Sequence, residues 1–181
     1  MSQAFSRSDF DPVATLTAFP RPEIDPSALK GALRTLAGGV SVIATGEGAD
    51  LTGATVTSAT ALSVDPPRMM VALNRTSSTW PILQRAGFFS VNIIGPEHEE
   101  VANRFAGIGG IKGPDRYAGA DWQRGESGAL LLSNAVAAID CELEEAIERH
   151  SHVIVIGRVV GVLQGEGRSL AYQGGRYHRL D

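Results

Sequence analysis

Two clusters of small polar side chains carry most of the chemical potential of this 181-residue chain. The first is Thr52-Gly53-Ala54-Thr55-Val56-Thr57-Ser58-Ala59-Thr60-Ala61-Leu62-Ser63, which has the β-branched content of a strand but no large side chain before Leu62. A strand of this kind lets a flat molecule approach its backbone closely. Alternation puts Thr55 and Thr57 on one face and Val56, Ser58 and Thr60 on the other, so hydroxyl donors lie on both sides. The second cluster, Asn74-Arg75-Thr76-Ser77-Ser78-Thr79, ends the apolar run from Met69 to Leu73. A strand-turn-strand path would bring the two clusters together over one anion. A solvent-facing edge strand is the competing account of the same composition.

Other chemistries leave no matching pattern. No G-x-G-x-x-G follows a strand, so a nicotinamide nucleotide would have to bind without a Rossmann unit. No P-loop is present, and Gly125-Glu126-Ser127-Gly128 has the wrong spacing for a nucleophile elbow. His98, His150, His152 and His178 are not grouped as zinc ligands. The single Cys141 excludes an intrachain disulfide and reads as a small core residue between Ile139 and Leu143.

The elements that position these residues follow from local pattern. Residues 1–24 lack periodicity and read as an N-terminal arm, with the domain proper at 25–181. Asp25-Pro26 opens a helix whose stripe, Leu29, Ala32, Leu33 and Leu36, runs to about Ala37 and stops at Gly38-Gly39. Val40 to Ala44 is a short strand, and the hydroxyl-rich strand follows a turn at residues 46–50. Asp65-Pro66-Pro67 breaks regular structure before a buried strand from Arg68 to Leu73. Ser78 or Thr79 caps a helix carrying Pro81, and Gly87 ends it. Phe88 to Ile94 is a strand, and a helix from Pro96 presents Val101, Ala102 and Phe105 before Gly107. Residues 108–130 have no regular pattern and are either an ordered flap or a disordered insert, with Tyr117 and Trp122 favouring order. Val136 to Glu148 and His152 to Leu163 are long strands, and Leu170 to Gln173 is a last short one before Gly174-Gly175.

Many short strands with about three helices, not in strict βαβ order, predict a mainly β fold with α elements: a Greek-key split β-barrel with helices packed outside. The second long strand is apolar on both parities, which predicts cover on its outer face by helices or by a second subunit, hence a homodimer. Sixteen Lys and Arg against twenty Asp and Glu give a net charge of −4, which argues against nucleic acid as partner. No run approaches the length that spans a bilayer, and a soluble cytoplasmic protein without a membrane partner is expected.

Taken in order, several pieces of the chain resemble the flavin reductase domain family, the small split-barrel FMN-binding proteins. They are residues 36–45, Gly53 to Ser58 with Ser63-Val64-Asp65-Pro66-Pro67, Asn74 to Thr79, Arg104-Phe105-Ala106-Gly107, Asp115-Arg116-Tyr117, His152 to Gly157, and Gly175-Arg176-Tyr177-His178. The resemblance spans residues 27–178 and is specific through the number and order of its pieces. It implies an NAD(P)H:flavin oxidoreductase that passes a hydride from NADH or NADPH to FMN or FAD and supplies a flavin-dependent monooxygenase component. Thr55, Val56, Thr57 and Ser58 would line the flavin. Ser63, Asn74, Arg75, Ser77, Ser78 and Thr79 would lie towards the ribityl chain and phosphate, and Arg104, Phe105 and Tyr177 at the pocket edge. His152 matches a family histidine near the nicotinamide, where it would position or stabilise rather than move a proton. Each has a plainer reading: Phe105 as core, Arg75 in a surface ion pair, His152 as a structural residue opening a strand. The family often has Asn at the place of Thr57 and Gly-Asp at the place of His150-Ser151, which bears on the flavin contacts and the nicotinamide site. Reduction of another acceptor, such as a corrinoid or quinone, and FMN binding without catalysis are the alternatives.

Overall fold

A computed structural model describes residues 23–180. The expected arm over residues 1–24 lies almost wholly outside the described residues. The chain divides into two units, residues 1–33 and 34–181. The first contains helix α1 (Pro26–Leu33), started as expected by Asp25, whose Oδ1 accepts from the Ser27 amide at 2.9 Å and whose carbonyl accepts from Ala28. The helix ends at Leu33, short of the expected Ala37. In the second unit the carbonyls of Arg34 and Thr35 accept from Gly174 N (2.9 Å) and Gln173 Nε2 (2.7 Å), so they are turned to the C-terminal hairpin and not to a further helical turn.

That second unit is built on a seven-stranded antiparallel sheet. Its strands are β2 (Ser41–Thr45), β3 (Thr52–Val56), β4 (Thr60–Ser63), β5 (Arg68–Asn74), β6 (Phe88–Ile93), β9 (Ala137–Arg149) and β10 (His152–Gln164), in the order β3-β2-β6-β9-β10-β5-β4. Helices α2 (Thr79–Ala86) and α3 (Glu99–Phe105) pack against it. A three-stranded sheet joins β1 (Gly38–Gly39), β11 (Leu170–Gln173) and β12 (Arg176–Arg179), and β7 (Trp122–Arg124) pairs with β8 (Leu130–Leu132). Segment 108–130 is therefore ordered, with short 3-10 turns ahead of the β7–β8 hairpin.

The hydroxyl-rich stretch, expected as one strand, is two strands at opposite ends of the sheet order. Only Thr57, Ser58 and Ala59 join them, a span of at most about 14 Å. The outermost strands of a seven-stranded sheet lie that close only if the sheet curls round on itself. The result is a barrel split along a seam, with β3 on one side and, on the other, the stretch of β5 that β4 leaves unpaired, both lining one cleft. Bulges at Glu144 and Val160 in the β9–β10 ladder are the local devices that sharpen strand twist.

Two cores result. Ile43, Val71, Leu83, Phe89, Val91, Val153 and Val155 fill one, and Val42, Ala44, Ala102, Phe105, Leu132 and Leu170 belong to the other. β2 is buried along its whole length because its alternate side chains enter different cores. Beside the second core lies a polar staple: Asn92 Nδ2 donates to Val42 O (3.0 Å), its Oδ1 accepts from Leu132 N (2.8 Å), and Ser90 Oγ donates to Leu130 O (2.6 Å). A fully satisfied buried amide of this sort ties the β7–β8 hairpin to the sheet.

Candidate functional site

The seam is braced from behind and open in front. Gly53 is the point of closest approach, since a Cβ there would stand 2.1 Å from Ile43 O and 2.5 Å from Phe105 Cε1. Its carbonyl accepts from Thr79 Oγ1 at 2.8 Å and from Arg116 Nη1. Arg116 Nη1 also donates to Phe105 O (2.8 Å), Arg104 Nη2 donates to Asp115 O (2.6 Å), and Tyr117 Oη donates to Thr52 O (2.6 Å). The pieces Arg104 to Gly107 and Asp115 to Tyr117 are thus each other's partners. Phe105, Tyr117 and Trp122 close the brace as an aromatic cluster, with Phe105 centroid distances of 5.0 Å to Tyr117 and 5.5 Å to Trp122. Burial lowers the pKa of Arg116 and raises that of Tyr117 well above the usual phenol range.

In front, two clefts share Thr55, Val56 and Thr57. One, of about 310 Å³, lies at the seam and is also lined by Ala54, Ser58, Ala72, Leu73, Asn74, Ser77 and His152. The other, of about 320 Å³, continues towards α3 and the C-terminal hairpin through Val40, Asn103, Ala106, Ile108, Tyr172 and Tyr177. Tyr172 and Tyr177 meet edge to face at 5.3 Å, and burial, followed by Tyr172 and Glu99, raises the Tyr177 pKa.

The two polar clusters do meet, but their members divide. Thr55 to Ser58, Asn74, Ser77, His152 and Tyr177 line one or both clefts. Ser63, Arg75, Ser78, Thr79, Arg104 and Phe105 line neither. Ser63 Oγ donates to Pro66 O inside the β4–β5 turn, and Phe105 is 1% exposed. Arg75 pairs with Glu148 at 2.6 Å and donates to His150 O at 3.2 Å. The capping hydroxyl of α2 is Ser77, whose Oγ accepts from Trp80 N (3.4 Å), and not Ser78 or Thr79. Ser78 already has helical angles, and the Thr79 hydroxyl points to Gly53.

Several polar groups remain for a ligand. Thr55 Oγ1 donates to Ala102 O (2.6 Å) and Ser58 Oγ to Ala72 O (2.8 Å), so these two are held in place and offer only lone pairs. Thr57 makes no side-chain hydrogen bond among the described residues, and it is exposed. Asn74 Oδ1 accepts from Thr76 N and Oγ1, both at 2.9 Å, leaving Nδ2 to donate outward. β3 is an edge strand, so one row of its amides and carbonyls faces the clefts and not a neighbouring strand. A flat heteroaromatic ring with alternating donors and acceptors on one edge fits this opening, and so does a polar tail running towards Asn74 and the start of α2. His152, at the β10 entry, has its Nδ1 2.9 Å from Ser151 Oγ.

The sequence pattern passed over Val40, Asn103, Ala106, Ile108 and Tyr172. Tyr172 was within reach of it. A two-residue Gly174-Gly175 turn with both φ positive (62° and 89°) pairs Gln173 with Arg176, and so Tyr172 with Tyr177.

A barrel curled on itself and open along one hydroxyl-lined seam places the chain among the split-barrel proteins. The flavin reductase like domain profile matches residues 33–181, and the chain belongs to that family. The reductase subunit HsaB of a flavin-dependent monooxygenase from Rhodococcus jostii (strain RHA1) is 32% identical over 159 residues, 87% of this chain and 80% of that protein. FMN reductase (NADH) RutF 2 of Methylorubrum extorquens (strain PA1) is 32% identical over 157 residues, 87% of this chain and 90% of that one. Among solved structures, BorF, the flavin reductase component of a bacterial two-component tryptophan halogenase, superposes with a TM-score of 0.78. It is 28% identical, over 86% of this chain and 98% of its own.

Proposed function

We propose that this protein is an NAD(P)H:flavin oxidoreductase that binds FMN or FAD across β3 and hands the reduced flavin to a separate flavin-dependent monooxygenase component. The supporting observation is the pair of clefts sharing Thr55, Val56 and Thr57. One side offers amides, hydroxyls and Asn74 Nδ2 to a polar ring edge and tail, and the other offers an aromatic wall to a second ring. When bound, the flavin supplies the hydride-accepting chemistry. The protein's own part is to hold two rings face to face and to aim fixed N–H dipoles at the edge where negative charge grows. His152 lines the seam cleft, where its part is to position the flavin for the nicotinamide rather than to move a proton. Arg75 exchanges its exposed Glu148 partner for the flavin phosphate, a cheap exchange because exposed ion pairs contribute only about 0–1 kcal/mol.

Relatives named as reductase components of two-component systems support the oxygenase partner. Homodimerisation is supported by the outer face of β10, where Ile154 and Ile156 remain only half-buried beside Ala72 and Met70 of β5. A cytoplasmic location agrees with the buried free Cys141, and no helix among the described residues is long and apolar enough to cross a membrane. Anaerobic titration of the protein with FMN and FAD, each against NADH and NADPH, tests cofactor, activity and donor together. Absence of flavin binding, or of flavin bleaching by either nucleotide, would end this reading.

A further inference from the structure

The C-terminal hairpin β11–β12 has two faces. Register pairs Tyr172 with Tyr177 on the face that borders the aromatic cleft, so alternation sends Gln173, Arg176 and His178 to the opposite face. There they join Arg34, Thr35 and Gly174 around a third cleft of about 350 Å³. Three of its lining side chains are Arg or His and none among the described residues is acidic, in a chain whose net charge is −4.

The cleft is partly built in advance. Gly174 N donates to Arg34 O at 2.9 Å, Arg34 Nη2 donates to Gly174 O at 3.3 Å, and Gln173 Nε2 donates to Thr35 O at 2.7 Å. Residues 34–35 are therefore clamped to the hairpin, and four of the five Arg34 N–H groups remain for another acceptor. His178 Nε2 lies 3.2 Å from Gln173 O, a carbonyl that can only accept, which fixes that proton on Nε2. Arg176 makes no ion pair and no side-chain hydrogen bond among the described residues. Two guanidiniums sharing a depression without a carboxylate among the described residues repel one another, and only one N–H of Arg34 is used in packing the hairpin. A doubly or triply charged oxyanion removes that repulsion and matches the planar fork of each guanidinium.

We propose that this cleft binds the phosphate or pyrophosphate oxygens of a nucleotide, held by Arg34 and Arg176 behind the tyrosine pair. The assignment to a nucleotide rests on the flavin reductase reading; the assignment of an anion site does not. Two sources share this chemistry, the nicotinamide dinucleotide and the adenylate half of FAD.

The first arm is calorimetric titration of inorganic pyrophosphate into the full chain, wild type and Arg176→Glu, independent of any redox activity. Saturable binding in the wild type, weakened roughly tenfold or more in the variant, is expected. No saturable heat in the wild type, or equal affinity in both, overturns the site. Arg176→Ala, with an unchanged melting temperature, guards against an effect of misfolding, because Arg176 is exposed and bonds to no side chain. The second arm is steady-state kinetics of Arg176→Glu, read as the KM for each nicotinamide nucleotide and each flavin. A raised KM for NADH or NADPH with FMN as acceptor assigns the site to the nicotinamide nucleotide. A raised KM for FAD but not FMN assigns it to the flavin, and unchanged KM for all four overturns the nucleotide assignment.

Discussion

Replacing Phe105 with leucine separates the structural reading of that ring from a ligand-contacting one. The side chain is 1% exposed and packs edge to face on Tyr117 and tilted against Trp122. One ring edge also occupies the space beside Gly53 where a Cβ would clash. Leucine keeps the site apolar but loses both ring pairs, about 0.5–1.5 kcal/mol each, and leaves a small void, for about 2 kcal/mol in total. At roughly 2–4 °C per kcal/mol for a domain of this size, the melting temperature of the apo-protein falls by about 4–8 °C. Flavin affinity, measured by fluorescence quenching well below the transition, changes by less than about threefold, because the ring lines neither cleft. An unchanged melting temperature together with a tenfold loss of flavin affinity would place Phe105 on the ligand and refute the brace.

Three further outcomes are expected. Arg75→Gln weakens FMN binding about fivefold while riboflavin, which lacks the phosphate, changes less than about twofold; equal losses in calorimetry refute the phosphate role. His152→Ala lowers the rate of flavin reduction by NAD(P)H in stopped flow while FMN affinity stays within about twofold; reduction at the wild-type rate removes His152 from the nicotinamide site. The third concerns alkaline stability. Burial, and then the neighbouring Asp140 carboxylate, push the Cys141 thiol up to about 12, and burial raises Tyr117 in the same sense. Because the folded state holds these protons more tightly than the unfolded state, their contribution is complete below about pH 9 and is lost as pH rises towards 12, at up to about 1.4 kcal/mol per pH unit per group. Urea midpoints at pH 8 and 10.5 therefore fall less in Cys141→Ala than in wild type, and an identical fall in both contradicts the thiol's share.

The parts of the fold legible in the chain were those that a short window encodes. Met69 to Leu73, Phe88 to Ile94 and the two long strands announce themselves by apolar runs between turn residues. The Asp25 cap and the ordering of Tyr117 and Trp122 were equally local inferences. The end of α1 and the cap of α2 were not, because residues far along the chain decide them. Gly174 and Gln173 take the carbonyls after Leu33, and Gly53 takes the hydroxyl of Thr79.

By itself the sequence determined that a small-residue, hydroxyl-bearing strand and a second polar cluster exist, and that the order of motifs is that of a flavin reductase domain. Tertiary structure alone decided which of those side chains look into a cleft and which face one another. Thr57 follows directly on β3 and Arg116 bonds to that strand at Gly53; both are polar, yet one is left for a ligand and the other props up the strand. The difference lies in the curl of a seven-stranded sheet, which accumulates from twist and bulges over strands distant in the chain. No local pattern of residues encodes that sum, so the seam between β3 and β5 becomes visible only once the barrel has formed.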